Sequence, residues 1–371
     1  MIPVNEPKFG AREKELLLNC IETGWVSSDG PYIKEFEERF AAYIGMKYGI
    51  AVCNGTASIE AALFALNVGP GDEVIMPTFT IISCAVATLR LGAKPVLVDI
   101  DPELWTMDVG MIEKKITPKT KVIMPVHIYG HPVDMDPLME IAQKHRLKVM
   151  EDAAEVHGAE YKGKKCGSIG EISSFSFYAN KIVTTGEGGM VLTNDPIMAE
   201  RTRSFRNLCF QPDRRFYHTE LGYNFRMTNM QAALGVAQTE RIEESVARKR
   251  QLGEYYRSKL VEIPGVRFQV EKPWAKSVYW MYSLEIDEAT GMTAETVMKK
   301  LGEKGIGSRP FFLGMHEQPI FHSMGLFIGE RYPNAERAYR QGLYLPSGMA
   351  LTEAQVDVVC KELKHIMVNR P

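Results

Sequence analysis

The sequence predicts an α/β fold, in which a large domain with a mainly parallel sheet is followed by a smaller α/β domain. Short apolar strand segments alternate with helical segments over roughly the first 230 residues. This alternation is typical of a parallel sheet that is covered by helices on both faces. The length of 371 residues also exceeds that of a domain with a single ordinary core. It suffices for one domain of roughly 200 to 250 residues and a smaller one.

The individual elements are predicted from apolar runs that lie between turn signals. In the large domain the predicted strands cover residues 48–53, 73–76, 95–99, 122–126, 147–150, 172–177 and 190–193. The predicted helices cover residues 54–66, 81–91, 108–116 and 135–145. Helical stretches at 227–262 lead into the smaller domain, with strands at 266–270 and 278–286 and helices at 293–304 and 352–366. We predict a division into residues 1–245, which include an N-terminal arm, and residues 246–371.

The composition argues against several classes of protein. A hydrophobic fraction of 45% and a charged fraction of 24% are those of an ordinary globular chain, and the net charge of −2 argues against nucleic-acid binding. The six cysteines are widely spaced without a CxxC pair, so we expect free thiols in the reducing cytoplasm and no metal site. We also expect no membrane segment, since neither a leader sequence nor a run of about 18 apolar residues is present.

Polar side chains and a proline stand at or just after the ends of five of the predicted strands. They are Asn54, Pro77, Asp99, His127 and Asp152. Because the carboxyl ends of parallel strands meet at one edge of a sheet, we expect these residues to lie along the same edge. Ligands of open parallel sheets bind at that edge.

One pair of residues, Asp152 and Lys181, is typical of a pyridoxal phosphate (PLP) site. Asp152 ends an apolar strand, and Lys181 precedes a Thr/Gly-rich turn farther along the chain. A lysine that binds this cofactor covalently needs a neutral amine, and the pyridine ring needs a carboxylate that keeps its nitrogen protonated. Each residue alone has an ordinary alternative, as a helix cap or as a solvated lysine, so the neighbouring segments decide the interpretation.

Three residues are candidates for binding the phosphate of the cofactor. Gly55 and Thr56 follow a strand and open a helix, whose free N–H groups and positive dipole end suit an anion. Ser176 shortly before Lys181 adds a hydroxyl, although helix capping and a serine bonded to the sheet backbone remain the ordinary alternatives. The glycine-rich run at 186–189 allows a tight turn after Lys181 and does not match the GxGxxG pattern of dinucleotide sites.

Together these segments resemble the DegT/DnrJ/EryC1/StrS family of sugar aminotransferases, over essentially the whole chain. Within the family the resemblance is strongest to the branch of GDP-perosamine synthases. The family motifs are Asn54-Gly55-Thr56, Gly69-Pro70-Gly71-Asp72-Glu73-Val74, Glu151-Asp152-Ala153-Ala154-Glu155, Ser174-Phe175-Ser176-Phe177, Asn180-Lys181, Gly186-Glu187-Gly188-Gly189 and Asn224-Phe225-Arg226-Met227. The motifs of the branch are Trp25-Val26-Ser27-Ser28, Pro125-Val126-His127-Ile128-Tyr129-Gly130, Arg226-Met227-Thr228-Asn229 and Ser308-Arg309-Pro310-Phe311-Phe312.

The resemblance implies a fold type I PLP-dependent aminotransferase with a seven-stranded, mostly parallel sheet. It also implies a homodimer whose active sites lie at the interface between subunits. By position, Lys181 matches the lysine that binds PLP, and Asp152 matches the partner of the pyridine nitrogen. Glu155 matches a residue that contacts the ring hydroxyl.

The resemblance also assigns the surroundings of the cofactor. Gly55, Thr56 and Ser176 match the phosphate site. Asn224 matches an asparagine that reaches the phosphate from the neighbouring subunit. Ile81 stands where the family often has an aromatic ring over the cofactor, so an apolar lid is predicted here instead.

The implied reaction is a transamination in two halves. L-glutamate gives up its amino group in the first half, and the C4 ketone of a nucleotide-linked 4-keto-6-deoxy sugar receives it in the second. Lys181 is the implied base in both halves. The perosamine branch makes GDP-4-keto-6-deoxy-D-mannose the leading substrate and GDP-perosamine the product, an amino sugar used in O-antigen and lipopolysaccharide biosynthesis.

Seven residues are predicted to contact the substrate. They are Trp25, Ser27, Ser28, His127, Arg309, Phe311 and His316. The first three lie in a loop that faces the sugar nucleotide by resemblance, and the last three supply a cation and rings for a diphosphate and a base. His127 has a hydrogen-bonded structural role as its alternative. Arg214 and Arg215 are alternative phosphate partners, or a solvated pair.

Several other functions stay open at this point. A UDP- or dTDP-linked keto sugar, or amination at C3, is compatible with the same residues. A PLP-dependent sugar dehydratase of the family would carry histidine in place of Lys181, which disfavours that function. A non-catalytic PLP-binding protein is a further alternative, and a protein without the cofactor would keep Asp152 and Lys181 as an ion pair.

Overall fold

The structure, a computed structural model, describes residues 1–211, 213–214 and 216–368. Its strands are β1 (Tyr48–Val52), β2 (Glu73–Pro77), β3 (Lys94–Val98), β4 (Thr120–Ile123), β5 (Lys148–Asp152), β6 (Glu160–Tyr161), β7 (Lys164–Lys165), β8 (Ile172–Ser176), β9 (Gly189–Thr193), β10 (Val266–Phe268), β11 (Ala275–Lys276), β12 (Tyr282–Ile286), β13 (Arg309–Pro310) and β14 (Gly342–Leu345). Its helices are α1 (Ala11–Thr23), α2 (Pro31–Ile44), α3 (Gly55–Ala65), α4 (Ser83–Arg90), α5 (Met135–His145), α6 (Pro196–Arg206), α7 (Asn229–Glu240), α8 (Ile242–Leu260), α9 (Ala294–Glu303), α10 (Pro319–Ser323), α11 (Pro333–Gln341) and α12 (Glu353–Val368).

A seven-stranded sheet organises the first part of the chain. Its strands lie in the order β1, β9, β8, β5, β4, β2 and β3. Strand β9 runs antiparallel to both of its neighbours, and the pairs from β8 across to β3 are parallel. The predicted seven-stranded, mostly parallel sheet is therefore confirmed. Its fully buried strands, such as β8 and β9, are continuous apolar or small-residue runs because helices cover both faces.

Helix α3 shows how the sequence builds the layer next to the sheet. It is apolar on nearly all sides because it packs between α4, α6 and β8. Asn54 caps the N-terminus of α3, and the Asn54 Oδ1 accepts a hydrogen bond from the N–H of Ala57 at 2.9 Å. In the part of the chain that the structure describes, no helix is both long and apolar enough to cross a membrane.

The second part of the chain has its own sheet and core. The antiparallel strands β10, β12, β14 and β13 are neighbours in that order. A core of apolar side chains from α8, α9, α12 and this sheet packs beneath them, including Leu252, Leu284, Val297, Leu343 and Leu363. Ile2 also forms a bridge with Ile306, so the N-terminal arm reaches this part. The predicted division after residue 245 falls inside α8, and it stays a prediction.

The helix predicted at 108–116 is wrong. Two short 3₁₀ turns, Val109–Met111 and Glu113–Lys115, stand there instead. The Asp108 carboxylate accepts from the N–H of Gly110 at 2.9 Å, and glycine itself disfavours a helix interior. Pro118 follows closely and disfavours the helical conformation of the residue before it, so no longer helix forms.

Candidate active site

A cavity of about 650 Å³ lies where β5, β8 and the beginning of α3 meet. Its volume is in the range of small-molecule sites, and its position at the carboxyl ends of parallel strands is the one expected for a ligand. The structure brings six predicted cofactor-binding residues to its lining: Gly55, Thr56, Asp152, Glu155, Ser176 and Lys181. We call these six residues the polar wall.

The alternation of a β-strand decides which of two neighbouring acids faces the cavity. Asp152 at the end of β5 lines the cavity. Glu151 points to the opposite side, where its carboxylate accepts from His127 Nε2 at 3.0 Å and from the N–H groups of Gly167 and Ile169, each at 2.7 Å. Glu151 therefore anchors the end of the strand, which leaves Asp152 free for chemistry.

The Asp152 carboxylate is buried and held from two sides. Its Oδ1 accepts from the N–H of Ala154 at 3.1 Å, and its Oδ2 accepts from the Cys84 thiol at 3.2 Å. Burial raises the pKa of Asp152 above its usual range, against the opposing effect of these hydrogen bonds. A positive partner in the cavity would restore the charged form, and the protonated ring nitrogen of PLP is such a partner.

Lys181 lies beside Glu155 in the same cavity. Its Nζ is 3.7 Å from Glu155 Oε1, and its side chain is 10% exposed. Burial lowers the pKa of the Lys181 amine and raises the pKa of the Glu155 carboxyl, while their mutual attraction opposes both shifts. The neutral amine is therefore more accessible than that of a solvated lysine, as a base or a nucleophile requires.

Glu155 is fixed by an unusual backbone conformation. Tyr129 has a φ of 55°, in the left-handed region, and its N–H donates to Glu155 Oε2 at 2.7 Å. Gly130 follows with a φ of 105°, and a Cβ there would lie 2.7 Å from the backbone nitrogen of Trp280. This tight turn aims one carboxylate oxygen away from Lys181 and leaves the other beside it.

The beginning of α3 forms an open cradle. The first N–H groups of a helix have no partner within the helix, and they lie at its positive end. The Thr56 hydroxyl is 2.8 Å from Ser83 Oγ. A Cβ at Gly55 would lie 2.8 Å from the Cβ of Ser176, so glycine keeps this space clear. A phosphate group fits these donors.

The cavity as a whole fits PLP. The polar wall offers a cradle for the phosphate, a buried carboxylate for the ring nitrogen and an amine for the aldehyde. Glu155 is within reach of the Lys181 amine and can serve the ring hydroxyl. Ile81 is 43% exposed and lines the cavity, and its role as an apolar lid stays a prediction.

A second group of residues that line the cavity was not predicted from the sequence. Three rings from the second part of the chain form it, and we call them the aromatic wall: Trp280, Phe312 and Tyr344. The Lys181 Nζ lies 3.7 Å from the centroid of the Trp280 ring. These residues follow Lys181 by about 100 residues or more, so no local pattern links them to it. A buried aromatic in an α/β protein is ordinarily core, and only the fold brings these three to the site.

His127 does not line the cavity. It is fully buried, with Nε2 bonded to Glu151 and Nδ1 accepting from the N–H of Val133 at 3.0 Å. The structure therefore favours the structural alternative over the predicted substrate contact. Asp99 at another strand end also has a different task, since its carboxylate accepts from the N–H groups of Asn334 and Ala335, each at 3.0 Å, at the start of α11.

The three predicted contacts of the smaller domain do not line the cavity either. Phe311 is 2% exposed, with its ring packed 4.9 Å from the Trp105 ring. His316 is buried, with Nδ1 2.8 Å from Thr78 Oγ1. Arg309 is exposed on the short strand β13. The neighbouring Phe312 is the residue of this segment that lines the cavity, because alternate residues of an extended segment face opposite sides.

The loop at 25–28 and Asn224 lie outside the cavity lining of a single chain. Trp25 is 51% exposed, and its carbonyl accepts from Asn229 Nδ2 at 2.8 Å. Ser27 is exposed and Ser28 is half-buried at a smaller cavity beside Arg226. Asn224 is exposed.

Arg214, one of the two arginines predicted as alternative phosphate partners, does not line the cavity. The guanidinium of Arg214 stacks on the Tyr217 ring. The other, Arg215, lies outside the described residues.

The family is decided by comparison with known proteins. The model of the DegT/DnrJ/EryC1/StrS aminotransferase family matches residues 7–364. The chain belongs to this family. A protein named GDP-perosamine synthase from Caulobacter vibrioides is 43% identical over 371 residues, which cover 99% of this chain and 98% of the relative. Another of that name from Escherichia coli O157:H7 is 41% identical and covers 100% and 99%.

A solved structure agrees with this assignment. The putative sugar aminotransferase Spr1654 from Streptococcus pneumoniae, in its PLP form, superposes with a TM-score of 0.93 at 26% identity. The match covers 100% of this chain and 99% of that one. The predicted family, the fold type I architecture, the aminotransferase class and the PLP cofactor are thereby confirmed. The roles of individual site residues stay predictions.

Proposed function

We propose that the enzyme transfers the amino group of L-glutamate to the C4 ketone of GDP-4-keto-6-deoxy-D-mannose and so forms GDP-perosamine. The observation that carries the proposal is the complete polar wall in a chain that matches proteins of that name from end to end. Transamination is favoured over dehydration because Lys181 stands where the family's dehydratases would carry histidine. The predicted cytoplasmic location belongs to this proposal.

The residues of the polar wall divide the task. When bound, PLP supplies a conjugated ring that accepts negative charge from the reacting carbon. Asp152 holds the proton on the ring nitrogen, and the cradle at Gly55, Thr56 and Ser176 holds the phosphate. Lys181 transfers the protons of the substrates: its Nζ takes the proton from Cα of glutamate in the first half, and it gives a proton to C4 of the sugar in the second half.

The two substrates share one cavity in turn. The Lys181 amine contacts groups of both walls, so one base can serve both halves of the reaction. The aromatic wall excludes water and offers apolar surface to a deoxy sugar, whereas the cradle stays with the cofactor throughout. Glutamate must therefore leave as 2-oxoglutarate before the sugar nucleotide enters, and we expect ping-pong kinetics.

The proposal includes a homodimer with shared sites. Asn224 is exposed and does not line the cavity of its own chain. If it binds the phosphate, as the resemblance implies, the contact comes from a second copy. An equal mixture of Lys181→Ala and Asn224→Ala variants should then recover about a quarter of the wild-type activity, because about half of the dimers are mixed and each mixed dimer has one intact site of two. Absence of recovery in proven mixed dimers would contradict the shared site.

The substrate is tested by a spectroscopic titration. The purified enzyme is loaded with PLP, and its visible absorbance band is followed after L-glutamate and then after each of three keto sugars, linked to GDP, UDP or dTDP. We expect glutamate to remove the band and the GDP-linked sugar to restore it fastest. Restoration by a UDP- or dTDP-linked sugar alone would keep the aminotransferase and replace the substrate. The Lys181→Ala variant is the control.

A further inference from the structure

The contact between Trp280 and Lys181 has no place in the division of tasks given above. The Lys181 Nζ lies over the indole ring, 3.7 Å from its centroid. Trp280 itself is 4% exposed and lines the cavity. An ammonium group this close to an indole face is attracted by the negative charge of the ring face, and the attraction is strongest where water is excluded.

Contacts to its N–H, to its face and to its backbone hold the indole ring in place. Its Nε1–H donates to the carbonyl of Asn180 at 2.9 Å, on the residue just before Lys181. The carbonyl of Trp280 accepts from the buried Lys249 Nζ at 2.6 Å. The Tyr129 ring lies nearly parallel to the indole, at 16° and a centroid distance of 6.3 Å. These contacts fix the ring and the backbone next to Lys181 relative to each other.

We propose that Trp280 is a positioning residue of the transamination, whose indole face holds the free ammonium group of Lys181 beside Glu155 between its two proton transfers. Once the Lys181 amine has taken the proton from Cα of glutamate, it is an ammonium group in a cavity with little water. A ring face compensates for part of the lost hydration and forms no directional hydrogen bond that must break before the amine moves. The inference rests on the proposed function, in which Lys181 is the base.

The electrostatic surroundings of Lys181 make this effect measurable. Burial lowers the pKa of its amine, and Glu155 and Asp152 oppose that shift. His157 is buried close by, and its pKa is lowered to about 3 by burial and by Lys181, so it is neutral. The indole face acts in the same direction as the two carboxylates. Its removal should lower the pKa of Lys181 by about half a unit to one and a half units.

The test uses the protein without its cofactor, so that neither PLP binding nor the sugar matters. The rate at which acetic anhydride labels Lys181 is measured against pH by mass spectrometry of the peptide. Compared with wild type, Trp280→Leu should move the pH midpoint of the Lys181 labelling rate down by about half a unit to one and a half units. Trp280→Phe keeps a weaker ring face and should move this midpoint less. The control is Trp274→Leu, because Trp274 packs on Tyr161 and His131 and does not line the cavity.

Fluorinated tryptophan covers the case in which Trp280→Leu does not fold. Fluorinated tryptophan keeps the shape and the N–H of the indole and weakens the negative charge of the ring face. The pH midpoint of Lys181 labelling should therefore fall when fluorinated tryptophan is incorporated into the wild-type protein. It should not fall when fluorinated tryptophan is incorporated into Trp280→Phe. An unchanged midpoint in Trp280→Leu, or equal shifts in Trp280→Leu and Trp274→Leu, would overturn the proposal. Neither result depends on which sugar the enzyme uses, so failure of the proposed function would appear separately.

Discussion

The two walls of the active-site cavity differ in chemistry and in origin. The polar wall consists of charged and hydrogen-bonding groups at strand ends and at a helix start, all between residues 55 and 181. The aromatic wall consists of Trp280, Phe312 and Tyr344 from the second part of the chain. In the proposed function the first holds the groups that move protons and bind the cofactor. The second shapes the space in which the substrates lie, and Trp280 also positions the Lys181 amine. Variants of Phe312 and Tyr344 should therefore affect binding more than chemistry.

The largest effect should follow the loss of Lys181. Lys181→Ala should reduce kcat by more than about 10³-fold, because it removes both the base and the covalent attachment of PLP. Activity is measured by 2-oxoglutarate formation from glutamate. Lys249→Ala is the informative control: Lys249 is more deeply buried than Lys181 and binds the carbonyls of Trp280 and Ser347, so its loss should lower stability and leave the attachment of PLP intact.

Asp152→Asn should be the next most severe change. The amide keeps the shape of the side chain but cannot balance the proton on the ring nitrogen, so kcat should fall by about 10²- to 10³-fold. Equilibrium dialysis should show that PLP still binds, since the phosphate cradle is intact. A variant with nearly normal kcat would mean that Asp152 does not hold the ring proton and that the polar wall is wrongly assigned.

Gly55→Ala tests the cradle. The added methyl group meets Ser176, and either the strand or the phosphate must shift, so the affinity for PLP should fall by about tenfold to a hundredfold. Gly302→Ala in α9 is matched to it, because a Cβ there meets nothing within 4 Å. Fluorescence titration of both variants with PLP measures the difference. Equal affinities would place the phosphate elsewhere.

A substitution of Phe312 in the aromatic wall should have the smallest effect on activity. Phe312→Leu should raise the KM for the sugar nucleotide by roughly fivefold, which corresponds to about 1 kcal/mol of lost contact, and leave the glutamate half nearly unchanged. Phe311→Leu is the control from the adjacent position: it should cost about 1 kcal/mol of unfolding free energy and leave KM unchanged. The reverse result would favour Phe311 as the substrate contact of this segment.

The difference between the walls also explains what the sequence could predict. Strand ends of a parallel sheet and the start of α3 are encoded locally, so the sequence alone suffices to place Asp152, Gly55 and their neighbours together. The helix at 108–116 does not form because a capping aspartate and a glycine outweigh its apolar spacing. His127 and Phe311 do not line the cavity of the chain, unlike the prediction, because their contacts depend on packing that the local sequence does not encode.

The aromatic wall is the clearest case of information that exists only in three dimensions. Trp280 meets Lys181 because Asn180 and Lys249, far apart in the chain, both bind it. No spacing or composition connects these residues. Resemblance to a family assigns roles to the polar wall, and it assigns none to Trp280.

The most direct test of the polar wall is to find the lysine that binds PLP. The loaded enzyme is reduced with borohydride and digested, and the pyridoxyl group is located by mass spectrometry. The label should be on Lys181, in the peptide that follows Asn180. A label on Lys249, which is also buried and whose pKa burial lowers to about 7, would contradict the assignment of the base and with it the proposed site.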